Sequence, residues 1–362
     1  MSTAQQLTTV TTLGAAPTNL YAQKLLELGL DPVIRLFSPS SRLIWNIGGP
    51  TAPIAGAESG MVLNQFSGFN APFHLFDLQG ARQNGVTNTG KAFDAAEVDM
   101  VLELSAGPGA ETRRVLRWWI ETWAGNRVSR LNYWTPELGD WWLWVRQFKP
   151  VTNQFKLSYA QSGQLELPWA ARGDDAFWLS YDSVDTFDGA TAGSGNGNGY
   201  VSLVQRGTEA GQPRYLVYGP GTFSLGDCTS GRSVTFGPIL PGQVFLISTL
   251  DRLPVVIDVT PADTPVPAQN LTDVQKLLQY IISFVTNNNV PPLLQELESV
   301  FGIQPPQGNP LSLIANRFKA SIPGLEESQG PFTTHIPVSI TGGTAGKSKI
   351  VGALTPMRTW PE

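Results

Sequence analysis

Short apolar runs bounded by turn-forming residues recur along most of the chain. Examples are Val33–Phe37, Glu97–Ser105 and Arg214–Tyr218, each followed by a segment rich in glycine, proline or serine. Runs of this length are typical of antiparallel strands rather than of helices. The chain has 37 glycines and 28 prolines among 362 residues, so turns come too often for long helical bundles. We therefore expect a mainly β protein.

The length of 362 residues indicates two or three domains. We expect an N-terminal β-sandwich with one packed helix and a C-terminal β-sandwich that carries a helical insertion. The only low-complexity stretch, rich in Gly, Ser and Asn, is interpreted as the linker between them. The expected boundaries are 1–30 for an N-terminal extension with a short helix, 31–188 for the first domain, 189–199 for the linker, 200–362 for the second domain and about 265–330 for the insertion.

One helix is expected inside the first domain, over Pro108–Ala124. Proline in the first turn and Gly125 after the last turn are typical start and stop signals. Because apolar residues repeat at helical spacing, one face of the helix should pack against a sheet. The residues predicted to form that face are Leu116, Trp119, Ile120 and Trp123.

The strand predicted over Trp141–Phe148 carries large apolar side chains on both faces. Alternation places Trp141, Leu143 and Val145 on one face and Trp142, Trp144, Arg146 and Phe148 on the other. We expect these aromatic residues to lie in the core and in a subunit interface rather than to form a platform that binds carbohydrate. The candidate interface residues are Trp141, Trp142, Trp144 and Phe148.

Charge and composition exclude several classes of function. A formal net charge of -5 leaves no basic face for wrapping nucleic acid. Neither a secretory signal nor a membrane span is expected, because no stretch has the required apolar length. One cysteine and two histidines predict no internal disulfide and no zinc site. We expect no metal and no cofactor.

Two glycine-rich stretches resemble nucleotide-binding loops only in their letters. Gly342–Ser348 is preceded by Thr341 at the position where a P-loop needs its first glycine, and a strand pattern rather than a helix follows it. We interpret it as a hairpin turn. Gly193–Gly199 lacks the βαβ context of a dinucleotide-binding loop and belongs to the expected linker.

Clustered aspartates are the only candidates for catalysis. Two carboxylates beside Trp169 and Trp178 could hydrolyse a glycoside. Calcium binding is equally open, but the aspartates do not have the spacing of an EF-hand loop. Acidic residues at strand ends are more often solvated, and His74 and His335 lack a recognisable triad spacing. We therefore expect no enzyme. The aspartates are Asp174, Asp175, Asp182, Asp185 and Asp188.

The order of several motifs resembles the distal tail proteins (Dit) of long-tailed, siphovirus-type phages, which are often labelled minor tail proteins in phages of actinobacteria. The motifs are turn patterns that cover most of the chain. The extension through Leu30 and the helical insertion depart from the minimal pattern. The matching segments are Leu36–Trp45, Asp77–Gly85, the helix, Leu138–Arg146, Asp174–Ser180, Val201–Thr208, Pro213–Gly221, Gly242–Asp251 and Lys349–Pro361.

The resemblance implies a structural protein of the virion tail tip, assembled in the cytoplasm of an actinobacterial host. It implies a ring, typically a homo-hexamer, that joins the tail tube to the baseplate or tip hub. The implied partners are the tail tube protein, the tip hub or tail-associated protein and the tape measure protein. DNA would pass through the lumen without specific binding, and we expect that lumen to be acidic or neutral. The second domain would be galectin-like, of the jelly-roll type.

Two other classes of function stay open. A carbohydrate-binding module could use Tyr200, Tyr215 and Tyr218 to stack a host glycan during adsorption. A hydrolase of cell-wall glycans would depend on the clustered aspartates. We rank the structural tail component first, glycan binding second and catalysis third.

Overall fold

The computed structural model describes residues 11–13, 31–40, 42–54, 58–79, 84–124, 127–151, 159–189, 195–249, 255–260, 317–326 and 329–362. The described part is mainly β, as the sequence predicted. It divides into two compact units, Met1–Tyr181 with Arg358–Glu362 and Asp182–Met357. The predicted helix over Thr18–Leu28 and the predicted helices between Thr272 and about Lys319 lie outside the described residues, except for residues 317–319, which are not helical.

The first unit contains one large sheet with the strand order β1-β3-β2-β8-β9-β10-β7-β4, and β11 also pairs with β9. A separate two-stranded sheet joins β5 and β6, and the described residues of the unit also include two α-helices and a 3-10 helix over Gly49–Thr51. The bounds are β1 Thr11–Leu13, β2 Val33–Phe37, β3 Leu43–Gly48, β4 Gly60–Ser67, β5 Phe73–Leu78, β6 Thr87–Phe93, β7 Glu97–Ser105, α1 Ala110–Trp123, β8 Ser129–Thr135, β9 Gly139–Gln147, α2 Tyr159–Ser162, β10 Gln164–Gly173 and β11 Trp178–Leu179.

Helix α1 packs on the large sheet through tryptophan contacts. The rings of Trp45 on β3 and Trp119 on α1 meet edge to face with centroids 5.2 Å apart. Trp119 in turn contacts Trp123 and Trp169. These rings are buried, so the tryptophans supply the largest apolar surfaces of this core.

The prediction of the buried helix face is wrong for one residue. Ile120 is 48% exposed, whereas the other three predicted residues are buried. The buried face also includes Thr112 and Val115. At 3.6 residues per turn, Ile120 lies roughly 100° around the helix from the middle of that face, which explains its exposure.

The second unit is a β-sandwich of a five-stranded and a four-stranded sheet, with strand orders β12-β20-β14-β17-β18 and β13-β19-β15-β16. Buried aromatic residues, among them Tyr215, Phe223 and Phe245, form its core. The bounds are β12 Ser183–Asp188, β13 Gly197–Gln205, β14 Arg214–Tyr218, β15 Gly221–Gly226, β16 Ser233–Ile239, β17 Val244–Ser248, β18 Val255–Asp258, β19 Phe332–Thr341 and β20 Lys349–Leu354. The short β21 Met357–Arg358 follows and pairs with β11 in the large sheet.

The units divide between Tyr181 and Asp182, whereas the sequence predicted a linker over 189–199. Strand β12 pairs with β20 from Ser183↔Leu354 to Asp188↔Lys349, so it belongs to the second unit. Gly199, within the predicted linker, lies in β13, where an added Cβ would be 2.3 Å from the Phe187 ring. Packing therefore requires glycine at this position.

The last five residues, Arg358–Glu362, group with the first unit rather than with the second. The hydroxyl of Tyr133 on β8 donates a hydrogen bond to the carboxylate of Glu362. The guanidinium carbon of Arg358 lies 4.6 Å from the centroid of the Trp141 ring. The chain thus passes from the first unit into the second and returns.

Gly342–Ser348 connects β19 to β20, which lie in different sheets, so it is a turn between sheets rather than a hairpin turn. The buried hydroxyl of Ser348 donates to the carbonyl oxygen of Pro220 at 2.5 Å and accepts from the Thr344 amide at 2.8 Å. A strand follows the loop, so its backbone lacks the helix N-terminus that a P-loop presents to phosphate.

Candidate interaction surfaces

Strand β9 has one buried and one uncovered face. Trp141, Leu143 and Val145 are buried in the core of the first unit. The prediction of Trp141 as an interface residue therefore needs a correction. Its indole N–H donates to the Leu138 carbonyl oxygen at 3.2 Å, inside its own chain. The aromatic side chains of the opposite face remain candidates for contact with a partner.

The opposite face carries aromatic residues and arginines side by side. Trp144 is 45% exposed and Phe148, just after β9, is 38% exposed, while Trp142 is partly buried. A large apolar ring on a sheet face away from the core is a typical interface residue. Since alternation along β9 places these three residues on one side, they form a continuous surface.

Arginines of neighbouring strands lie over these rings. The guanidinium carbon of Arg130 lies 4.2 Å from the ring centroid of Phe37 and 5.4 Å from that of Trp142. That of Arg172 lies 5.1 Å from Phe148. Such cation–π contacts contribute about 0.5–1 kcal/mol at exposed sites. We call Phe37, Arg130, Trp142, Trp144, Phe148 and Arg172 the aromatic–arginine face.

A second apolar surface lies on the β5–β6 hairpin, of which only the first strand stands out in the sequence as an apolar run. Cross-strand pairs run from Phe73↔Phe93 to Leu78↔Thr87. Five large apolar side chains on it or beside it are between 51% and 64% exposed. They are Phe73, Leu75, Phe76, Leu78 and Val86.

The clustered aspartates are engaged in structural contacts. Asp174 bonds to Arg146 in the first unit. In the second unit Asp182 accepts from Arg214 at 2.8 Å, and Asp185 accepts from the Ser202 backbone N–H at 2.6 Å. Asp175 and Asp188 also have interaction partners. Within the described residues, no three His, Cys, Asp or Glu side chains form a group suited to a metal ion.

The two histidines lie on exposed surfaces. His74 Nε2 is 2.7 Å from Asp94 Oδ2 on the hairpin. His335 Nδ1 is 2.9 Å from the Ser202 hydroxyl, and these residues face each other across β13 and β19. Both contacts join neighbouring segments, which agrees with a structural role.

The three predicted sugar-stacking tyrosines have different environments. Tyr215 is fully buried, and burial raises the pKa of its hydroxyl well above the usual value. Tyr218 is partly covered by Lys349, whose Nζ lies 4.4 Å from the ring centroid. Tyr200 is 62% exposed. It borders an open groove of about 480 Å³ that is also lined by Asn198, Ser224, Arg232 and Ser339.

The single cysteine is shielded from solvent. Burial, followed by the charge of Asp227, raises the pKa of Cys228 from 9.0 to about 12. The thiolate is the reactive form, so a thiol with so high a pKa is a poor nucleophile near neutral pH.

The fold thus defines a mainly β protein of two units, with its largest uncovered apolar surfaces in the first. No helix among the described residues is long and apolar enough to cross a membrane. Protein-family models give no match to the chain, and neither do curated proteins.

Solved structures do show similarity. One is the Dit protein (gp 19.1) of phage SPP1, described as a paradigm of the hub adsorption apparatus in phages infecting Gram-positive hosts. It has 9% identity and a TM-score of 0.46, over 82% of this chain and 93% of that chain. The activated baseplate of phage p2, solved with Sr and with Ca, matches at 7% identity and a TM-score of 0.47, over 91% of this chain and 99% of that chain. Identities this low assign no role to any residue.

Proposed function

We propose that this chain is a structural component of a phage tail tip, of the distal tail class. Its first unit would assemble with copies of itself into a ring, six copies being the expected number. The ring would join the tail tube to the baseplate or tip hub and let DNA pass. The proposal is supported by the resemblance in motif order and by two β units in the described chain.

The observation that carries the proposal is the aromatic–arginine face. Trp144 and Phe148 are exposed on the side of β9 that faces away from the core. Aromatic residues and arginine are enriched at protein interfaces, and truncation of such anchors dominates interface energetics. A subunit whose sheet is uncovered in this way gains stability when a copy or a neighbouring tail protein covers it.

The partners and location follow as further parts of the proposal. They are the tail tube protein, the tip hub or tail-associated protein and the tape measure protein, at the virion tail tip. Assembly would occur in the cytoplasm of an actinobacterial host. We propose a galectin-like second unit, no catalytic activity and an acidic or neutral lumen that does not hold DNA phosphates.

Size-exclusion chromatography with light scattering tests ring formation. The full chain is measured over a wide concentration range, with and without the tail tube protein, and images of negatively stained samples are recorded. We expect an oligomer near six copies and a ring with a central hole. A monomer under every condition, with tube protein present, would contradict the proposal.

A matched pair of variants tests whether the named face is involved. Trp144→Ser should weaken assembly by about 2 kcal/mol or more, since tryptophans that become buried in an interface often supply much of its binding energy. Val184→Ser is the control, because Val184 is also exposed but lies in the second unit. Equal assembly of both variants and the unmodified chain would exclude Trp144 from the interface.

Glycan binding is the second candidate function, favoured by the groove at Tyr200. An exposed ring beside amide, hydroxyl and guanidinium groups can stack on a sugar and bind its hydroxyls. Titration with host-envelope polysaccharide tests it, with Tyr200→Ala as the variant and Tyr218→Ala as the control. The titration is followed by calorimetry, and a binding heat no greater than the background for the unmodified chain would dismiss this function. The hydrolase alternative is tested by a zymogram on cell-wall material, where clearing would establish it.

A further inference from the structure

The β5–β6 hairpin exposes more apolar surface than a two-stranded sheet can stabilise alone. Isolated two-stranded hairpins are marginal in water, and independent stability takes a third strand or a packed partner. Here the two strands pair with each other in a sheet of their own. The five exposed apolar side chains described above therefore indicate a surface that becomes covered in an assembly.

The apolar residues lie on both faces of the hairpin. Phe73 and Leu75 are on one face, where Lys91 Nζ lies 4.3 Å and 4.2 Å from the ring centroids of Phe73 and Phe93. Phe76 is on the other face, opposite Gly90, whose missing side chain leaves the ring uncovered. The ring of Phe93 also contacts that of Phe177 in the same chain, with centroids 4.7 Å apart, so the Phe76 face is the better candidate for contact with a partner.

The size of the hairpin sets how much of a subunit interface it can form. Strands of six and seven residues extend about 20 Å at 3.3 Å per residue. One face of such a hairpin offers very roughly 400 Å², about half of what one partner contributes to an interface of standard size, so the hairpin would form one part of a larger subunit interface.

The first unit itself carries a surface of matching chemistry. On the aromatic–arginine face, Arg130 and Arg172 already bind aromatic rings of their own chain. The hairpin would bring further phenylalanine rings, and Asp77, whose carboxylate accepts from the Asn88 side chain, would bring a negative charge that complements the arginines. Because the two surfaces differ, one copy can use its hairpin while its neighbour supplies the face, which is the heterologous contact that generates a ring.

We propose that the β5–β6 hairpin of one copy docks on the aromatic–arginine face of the next copy. This inference rests on the proposed ring function and specifies which surfaces meet. The element that docks is the hairpin, of which the sequence predicted only the first strand. The face around Trp144 and Phe148 is its receptor.

Cysteine cross-linking between separately prepared variants tests the contact. Ala92 is exposed on β6, and Ala170 lies on the outer face of β10, where its carbonyl oxygen accepts from the Phe148 amide at 3.0 Å. Ala92→Cys and Ala170→Cys change little volume, and the native Cys228 is buried. A bismaleimide is used because a disulfide needs Cα atoms within about 7 Å.

Mixing the two variants should give a cross-linked dimer at a yield at least about tenfold above the control, since docking raises the effective concentration of the two thiols. The control mixture pairs Ala92→Cys with Val184→Cys, and the unmodified chain reports any reaction at Cys228. Adding Phe76→Ser to the Ala92→Cys variant should abolish the product, because the exposed ring is a contact residue.

The outcomes separate this inference from the proposed function. Rings that form without the Ala92–Ala170 product overturn the inference and leave the ring function standing. A dimer from Ala92→Cys alone overturns it in favour of hairpin-to-hairpin contact. Product at the control level, together with protection of Ala92→Cys from labelling when tube protein is added, identifies another occupant and overturns it too. A monomer throughout overturns both.

Discussion

The indole N–H of Trp45 on β3 donates a hydrogen bond to the hydroxyl of Thr122 on α1 at 3.0 Å, inside the core of the first unit. The same hydroxyl donates to the Trp118 carbonyl oxygen at 2.8 Å. One side chain thus joins the sheet to the helix and satisfies a buried donor. The indole N–H groups of Trp119, Trp123 and Trp169 have no such partner within the described part of the chain.

Thr122→Val should destabilise the first unit by about 1–3 kcal/mol, because the buried Trp45 donor loses its acceptor while the volume is unchanged. Equilibrium denaturation followed by tryptophan fluorescence measures the loss. Thr122→Ser keeps the hydroxyl and should cost clearly less. If the two variants were equally stable, the hydrogen bond would not be the stabilising feature.

Asp227 should hold the segment around Lys319 and Ala320 in place within the second unit. Its carboxylate is buried and accepts from the backbone N–H groups of Lys319 and Ala320 at 3.0 Å and 2.9 Å. Asp227→Ala should cost about 1.5–3 kcal/mol, as expected for hydrogen bonds to a charged group. Faster proteolysis next to Lys319 should accompany the loss.

The matched control for Asp227 is Asp258→Ala, an aspartate of the same unit whose carboxylate accepts from the Thr260 amide near the end of β18. That bond is local, so its loss should leave proteolysis at Lys319 unchanged. Equal cleavage rates in both variants would argue against Asp227 as the anchor.

Gly199→Ala should destabilise the second unit by about 1–3 kcal/mol, the usual cost of overpacking a core. The added methyl would lie 2.3 Å from the Phe187 ring, so β12 or β13 must shift. Gly330→Ala is the control, because an added Cβ there meets nothing within 4 Å. Differential scanning calorimetry should show a lower Tm for the first variant only.

Cys228 should resist alkylation in the folded protein at pH 8 and react quickly once the chain is unfolded. Its pKa of about 12 in the fold, against 9.0 ordinarily, leaves almost no thiolate at that pH. The same shift favours the folded state below pH 9, and this contribution is lost as the pH rises from 9 towards 12. If Cys228 were alkylated as fast in the folded protein as in denaturant, the thiol would not be buried.

Much of the first unit was predictable because its strands alternate clearly. Glu97–Ser105 was predicted with the bounds that the structure shows, since buried Val98, Met100, Leu102 and Leu104 alternate with outward residues. Strand Thr87–Phe93 was missed because its sequence, TNTGKAF, has few apolar residues and pairs only with its neighbour.

The candidate site was predictable in part. Alternation correctly separated Trp141 from Trp144 and Phe148, but it could not say which face of β9 the core would cover. That depends on helix α1 and on the strands across the core, which are distant in sequence. The predicted unit boundary differs from the observed one because a glycine at position 199 is typical of a flexible linker, whereas here it is required by close packing against Phe187.

The return of Arg358–Glu362 to the first unit means that the second unit is attached at two points of the chain, after Tyr181 and before Arg358. After a single protease cut at Tyr181, the two fragments stay together through the non-covalent contacts of Arg358–Glu362 with the first unit, among them the Tyr133–Glu362 hydrogen bond. If the chain serves in a tail tip, as proposed, this second attachment would keep a nicked subunit in place. A denaturing gel would then show two fragments, whereas size-exclusion chromatography would show one particle.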